Sequence, residues 1–228
     1  MAAPIVQSFS GTSTSTGTVT VTAPTGVADG DLIVFVANTD FGVSGTVVYT
    51  PPTGVTELFP YTRANAGGSP GVSYQAWYKV ASSEAGSYIL TVSEARLSGF
   101  SAIRIDGQNT STPVDGTIGT AVTSGEPINP GYTTTVDNCL ILHSVGWDES
   151  KTFTAAPTGD TGVGSIDVSG LDQWNYQRNQ DSAGSVVPGT WDISSATRYV
   201  AVTIAIQPVA AAPATVITGW RSLLGVGR

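Results

Sequence analysis

From residue 4 to residue 207 the chain keeps returning to one pattern. β-Branched and aromatic residues alternate with small or polar ones for six to ten positions, and then a cluster of Gly, Pro, Asn or Asp breaks the run. The pattern predicts strands near 4–9, 17–22, 31–38, 72–81, 87–93, 99–106, 138–147, 163–168, 171–178 and 198–207. Nothing before residue 208 carries the 3.6-residue apolar period of a helix. Segments 31–38, 138–147 and 199–206 are apolar at successive positions, so both pleat faces must be buried and these strands should lie centrally. Segments 17–22 and 87–93 alternate and should face water on one side.

Ten strands with short turns and no helical crossovers predict an all-β chain, folded as an antiparallel two-sheet sandwich of jelly-roll type in one domain over 1–207. The longer gaps, 40–71 and 107–135, hold seven of the 13 prolines and read as ordered surface loops at the ends of the sandwich.

Composition narrows the function classes. Charged residues make up only 11% of the 228, while 31 Thr, 24 Ser and 27 Gly fill the gap, which suits strands and turns rather than long helices. The net charge of −8 and a pI near 4.3 have the wrong sign for gripping a polyphosphate, so nucleic acid is not an expected partner. One cysteine, Cys139, and one histidine, His143, are too few for the usual zinc sets, and no cofactor or metal is implied. Residues 1–4 lack the basic start and apolar run of a secretory signal. No stretch reaches the roughly 18 apolar residues of a membrane span. Synthesis in a cytoplasm is the expectation.

Motifs for chemistry are sparse. The chain has no Gly-x-Ser-x-Gly elbow, and His143 sits in a run that should be buried, where a packed, hydrogen-bonded role is expected. Asp148 and Glu149 follow Trp147 at the end of a buried strand and form the most site-like acidic pair, of the kind a glycosidase needs. A solvated turn into Lys151 is their plainer reading. Asp29 and Asp31 lack EF-hand spacing and fit an Asx-type turn. Trp174 and Tyr176 lie two apart on one strand face, with Asp172 beside them. Together with Trp147 they are the candidate platform for a carbohydrate, although Trp77, Trp174 and Trp191 serve equally well as core. Asn109-Thr110-Ser111 matches a glycosylation triplet but reads as a turn.

After Pro208 the composition changes. Residues 208–214 form an Ala/Pro linker, and 215–228 carry Val216, Ile217, Trp220, Leu223 and Leu224 on one face of a helical period. Such a segment is too short to span a membrane and too apolar to stay in water, so it is expected to dock on a partner.

Several strings together resemble a recurring all-β domain of tailed-bacteriophage virion proteins. They are Pro-Thr-Gly-Val-Ala-Asp-Gly-Asp-Leu-Ile-Val at 24–34, Trp-Tyr-Lys-Val-Ala at 77–81 and Ser-Tyr-Ile-Leu-Thr-Val-Ser at 87–93. The others run from Asp106 to Asp115, from Thr134 to Leu142 and from Ala205 to Pro208. The resemblance implies a jelly-roll-like sandwich on a phage exterior, as capsid decoration, head fibre or tail-associated protein. It implies a multimeric, non-enzymatic component of the virion, in contact with other virion proteins and copies of itself. The alternative function is an adhesin that recognises host-surface polysaccharide.

Overall fold

The computed structural model describes residues 2–41, 47–65, 71–187 and 189–210. The docking residues Val216, Ile217, Trp220, Leu223 and Leu224 therefore lie outside the described residues. Every regular element among the described residues is a strand. The first half of the chain contributes β1 (Ile5–Thr14), β2 (Thr18–Thr22), β3 (Leu32–Phe41), β4 (Tyr49–Thr50), β5 (Thr56–Asn65), β6 (Gly71–Val80), β7 (Ser87–Val92) and β8 (Ser98–Asp106). The second contributes β9 (Val114–Gly125), β10 (Ile128–Asn129), β11 (Tyr132–Thr134), β12 (Cys139–Trp147), β13 (Phe153–Ala155) and β14 (Thr161–Val168). It continues with β15 (Leu171–Gln180), β16 (Gly184–Val186), β17 (Gly189–Thr190), β18 (Asp192–Ile193) and β19 (Thr197–Ile206).

Two five-stranded antiparallel sheets, β1-β8-β3-β6-β5 and β14-β15-β12-β19-β9, pack face to face. The antiparallel sandwich is as expected, and the three segments apolar on both faces lie inside it. Even-numbered residues of β3, β12 and β19, among them Val34, Leu142 and Val202, fill the core between the sheets. Odd-numbered Ile33 and Phe35 pack outward under the sheet β2-β7-β4, where Val19, Val21 and Leu90 meet them. Odd-numbered Val145, Trp147 and Tyr199 pack outward under the short pairs β13-β18 and β10-β17. Burial on both sides is why these strands lack a polar alternation. Strands β2 and β7 alternate because their Thr18, Thr20, Thr22, Ser87, Ile89 and Thr91 face outward.

The gaps read as loops are corrected in part. Each holds a long strand, β5 within 40–71 and β9 within 107–135. Both lie at sheet edges. Pro60 lies inside β5, whose pairing with β6 shifts register twice, and an edge position tolerates the missing N–H. Gly and Thr dominate β9, which weakens its alternation.

The two halves repeat one another. Numbering the strands of the first half 1 to 8, its sheets run 1-8-3-6-5 and 2-7-4. In the second half β9, β12, β14, β15 and β19 stand in the places of β1, β3, β5, β6 and β8, and the sheet read from β9 is β9-β19-β12-β15-β14. The short pairs β10-β17, β11-β16 and β13-β18 take the place of β2-β7-β4 in pieces.

Local detail agrees with this correspondence. Gly30 and Asn138 both adopt positive φ, 93° and 60°, within two residues before equivalent strands. Their N–H groups donate to Ala81 O at 2.9 Å and Asp181 O at 3.2 Å. One residue earlier, Asp29 and Asp137 accept from Ser83 N at 2.6 Å and Ala183 N at 2.7 Å. The halves meet as a two-fold pair would: β6 touches β12 and β19, β15 touches β3 and β8, β1 touches β14, and β9 touches β5. Buried hydrogen bonds cross this seam, from Asn38 Nδ2 to Asp172 O at 2.9 Å and from Gln173 Nε2 to Ser101 Oγ at 2.5 Å.

Candidate functional site

The outward face of β12 and β15 gathers the candidate aromatics. Cross-strand register sets Trp147 opposite Asp172, Val145 opposite Trp174 and His143 opposite Tyr176. Trp174 and Tyr176 do share a face. That face is covered: Phe153 stacks on Trp174 with centroids 4.1 Å apart and an interplanar angle of 20°, and Trp191 meets Tyr176 edge-on at 5.2 Å. Trp191 is fully buried and its indole N–H donates to Asn129 Oδ1. Trp147 is 0% exposed. The three aromatics marked as a glycan platform are thus a satellite core, with Trp174 and Tyr176 only partly open to water. Phe153 and Trp191, distant in sequence, supply the cover, and no local signal announces it.

The acidic pair at the end of β12 is neutralised in place. Arg198 reaches Asp148 Oδ2 at 3.2 Å and Glu149 Oε1 at 3.0 Å, and Lys151 holds the other Glu149 oxygen at 2.7 Å. Burial raises the Asp148 carboxyl, and the Arg198 guanidinium works against that rise. Two free acids facing a substrate gap, the arrangement glycoside hydrolysis needs, are not what these contacts make.

A second carboxylate pair has no sequence signal. Asp167 and Asp172 stand directly opposite each other in the β14–β15 hairpin. Burial, and then the neighbouring Asp167, pushes the Asp172 carboxyl up to about 7. Like charges in that register repel, so the pair is stable when one proton is retained.

His143 is buried, and its Nδ1 lies 2.7 Å from Asp160 Oδ2, while Arg178 Nε lies 2.7 Å from Asp160 Oδ1. The hydroxyl opposite His143 on β19, that of Thr203, donates to Pro130 O at 2.7 Å and is engaged there rather than with the imidazole. Cys139 is also buried, and burial pushes its thiol up to about 11, far from the thiolate that attacks or ligates. Asp29 and Asp31 diverge. Asp31 Oδ2 accepts from Ala28 N and from Arg104 Nε, both at 2.7 Å, while Asp29 serves Ser83. Asn109 caps a turn, its Oδ1 accepting from Ser111 N at 2.9 Å and Thr112 N at 3.1 Å.

An open concavity lies elsewhere, on the first half. A trough of about 460 Å³ runs between the 50–53 loop and the 82–87 turn, floored by outward side chains of β7. Its walls carry the hydroxyls of Thr50, Ser82, Ser83, Ser87 and Thr91, the rings of Pro51 and Pro52, and the Lys79–Glu84 ion pair at 2.8 Å. Burial works against the Glu84 carboxylate, yet the Lys79 ammonium and the Ser82 N–H hold it below its ordinary range. Compared with protein-family models, curated proteins and solved structures, the chain finds no match.

Proposed function

We propose that this chain is a non-enzymatic structural component of a bacteriophage particle, displayed on its exterior as capsid decoration, head fibre or tail-associated protein. Residues 215–228 anchor it to other virion proteins or to copies of itself. The observation that carries the reading is where the described chain stops within the fold. Among the described residues the apolar clusters are built from both sheets and the short strands that cover them, and the last described strand, β19, lies inside its sheet. Directly after it, Gln207 N donates to Pro113 O at 2.8 Å and Val209 N to Gly107 O at 2.9 Å. The described chain is therefore held at a fixed point of the fold up to Val209, and the reading assigns the apolar residues beyond it to another surface.

The strand order supports the jelly-roll expectation for each half rather than for the whole. Strands 1, 8, 3 and 6 face 2, 7 and 4, the order a jelly roll uses, with strand 5 paired to 6 instead of 4. Burying Val216, Ile217, Trp220, Leu223 and Leu224 contributes on the order of 8 to 12 kcal/mol gross, and ordering the peptide cancels much of it. The result is a reversible anchor for one copy, strengthened where several copies bind together.

Deleting 211–228 tests this. The reading expects an unchanged melting temperature and a loss of incorporation into particles or of oligomer mass. Unchanged assembly refutes it.

A further inference from the structure

We propose that the trough beside the Lys79–Glu84 pair binds a neutral saccharide. It goes beyond the anchoring reading and does not depend on it, because the trough lies wholly within the folded body and tail deletion leaves it intact.

The chemistry of the walls selects the ligand. A Ser or Thr hydroxyl both donates and accepts, so Thr50, Ser82, Ser83, Ser87 and Thr91 match the mixed donor and acceptor edge of a sugar ring. Ile89 stands on the floor among them and is 53% exposed, and Pro51 and Pro52 form the opposite wall. Together they offer an apolar surface for the C–H face of the ring. Charge argues against ionic ligands. Lys79 is cancelled by Glu84 at 2.8 Å, and the chain's net charge of −8 repels an anion further. A metal ion would have to take Glu84 from both Lys79 and the Ser82 N–H, which donates to it at 3.1 Å. The volume of about 460 Å³ lies in the range of small-ligand sites.

Two further observations point to a built site. Ser83 holds φ at 52°, a left-handed conformation costly for a residue with a side chain, and its N–H is tied to Asp29 to keep it there. The equivalent turn of the second half keeps the aspartate tie, yet Ala183 there is not left-handed, and Ala183 and Gly184 replace Ser83 and Glu84. Arg178, in register with Lys79, is turned to Asp160 instead. One fold thus carries the left-handed serine and the Lys–Glu pair at one turn and drops them at the other, while Ser182 keeps the place of Ser82, as expected of a feature the fold itself does not require.

The test is a titration of the full, 15N-labelled chain with a panel of neutral sugars: maltotriose, cellotriose, lactose and N,N′-diacetylchitobiose. Inorganic phosphate serves as the ionic control. The expected result is saturable shifts of the Ser83, Ser87, Ile89 and Thr91 amides with at least one sugar, with a Kd of about 1 mM or tighter. Ile89→Lys and Thr91→Val, both outward-facing, should each weaken that sugar about tenfold or more while the remaining spectrum stays in place. No saturable shift with any sugar, equal shifts in both variants, or a response to phosphate in place of sugar would overturn the proposal.

Discussion

The residue with most to say about solution conditions is Asp172. Its carboxyl, pushed up to about 7 from an ordinary 3.8, retains a proton in the native state that the unfolded chain has already lost. Unfolding therefore releases a proton between those two values, so this group's contribution to stability falls as pH rises from about 4 to about 7 and levels off above. Asp172→Asn removes the repulsion from Asp167 while keeping the shape. It should leave the protein about 1–2 kcal/mol more stable than wild type at pH 8, with little gain at pH 4. Urea unfolding at both pH values measures the difference, and an equal effect at the two would show that the carboxyl does not titrate in this window. Neither aspartate stands out in the sequence, because the repulsion arises only when the hairpin sets them in register.

At the scale of the element, edges behave differently from centres. Gly119 of β9 sits beneath Phe59 of β5, where an added Cβ would come within 2.3 Å of the ring. Gly119→Ala should cost about 1–3 kcal/mol, and Phe59→Leu in the same chain should recover part of it, measured as a double-mutant cycle by thermal melting. This dependence on a partner across the sandwich also explains what was legible. The central strands announce themselves because burial on both faces leaves an apolar run in a single stretch of chain, as in Ile33-Val34-Phe35-Val36. Strand β9 earns its place through what it packs against, so its Gly116, Gly119 and Thr120 look like loop. Strand periodicity alone puts Trp174 and Tyr176 on one face, but whether that face is wet depends on Phe153 and Trp191, from other segments. The trough beside Lys79 and Glu84 has no sequence signal for the same reason: its walls come from residues 50–53 and 79–91, joined only by the fold.

At the scale of the molecule, the described residues of both halves share one core despite the repeat. Val34, Val36 and Ile103 of the first half share a core with Leu142, Val202 and Ile204 of the second, and none has exposed surface. Leu142→Ala should therefore cost about 2–5 kcal/mol and destabilise both halves together. Amide exchange of β3 and β12 should accelerate in step, and acceleration confined to β12 would show that the halves unfold independently. The repeat leaves a short trace in the sequence: Asp29-Gly30-Asp31-Leu32-Ile33-Val34 and Asp137-Asn138-Cys139-Leu140-Ile141-Leu142 share three of six residues.

Gly107, in the link between the halves, has Pro4 on one side, with a Cβ there only 3.6 Å from the proline Cα, and Val209 hydrogen-bonded to it on the other. Start, middle and finish of the folded chain thus converge on one spot. A circular permutant opened in the 109–112 turn, with a few glycines bridging Ala210 to Ala3, leaves every strand its own neighbours. Among the described residues, the architecture therefore does not dictate which half comes first along the chain.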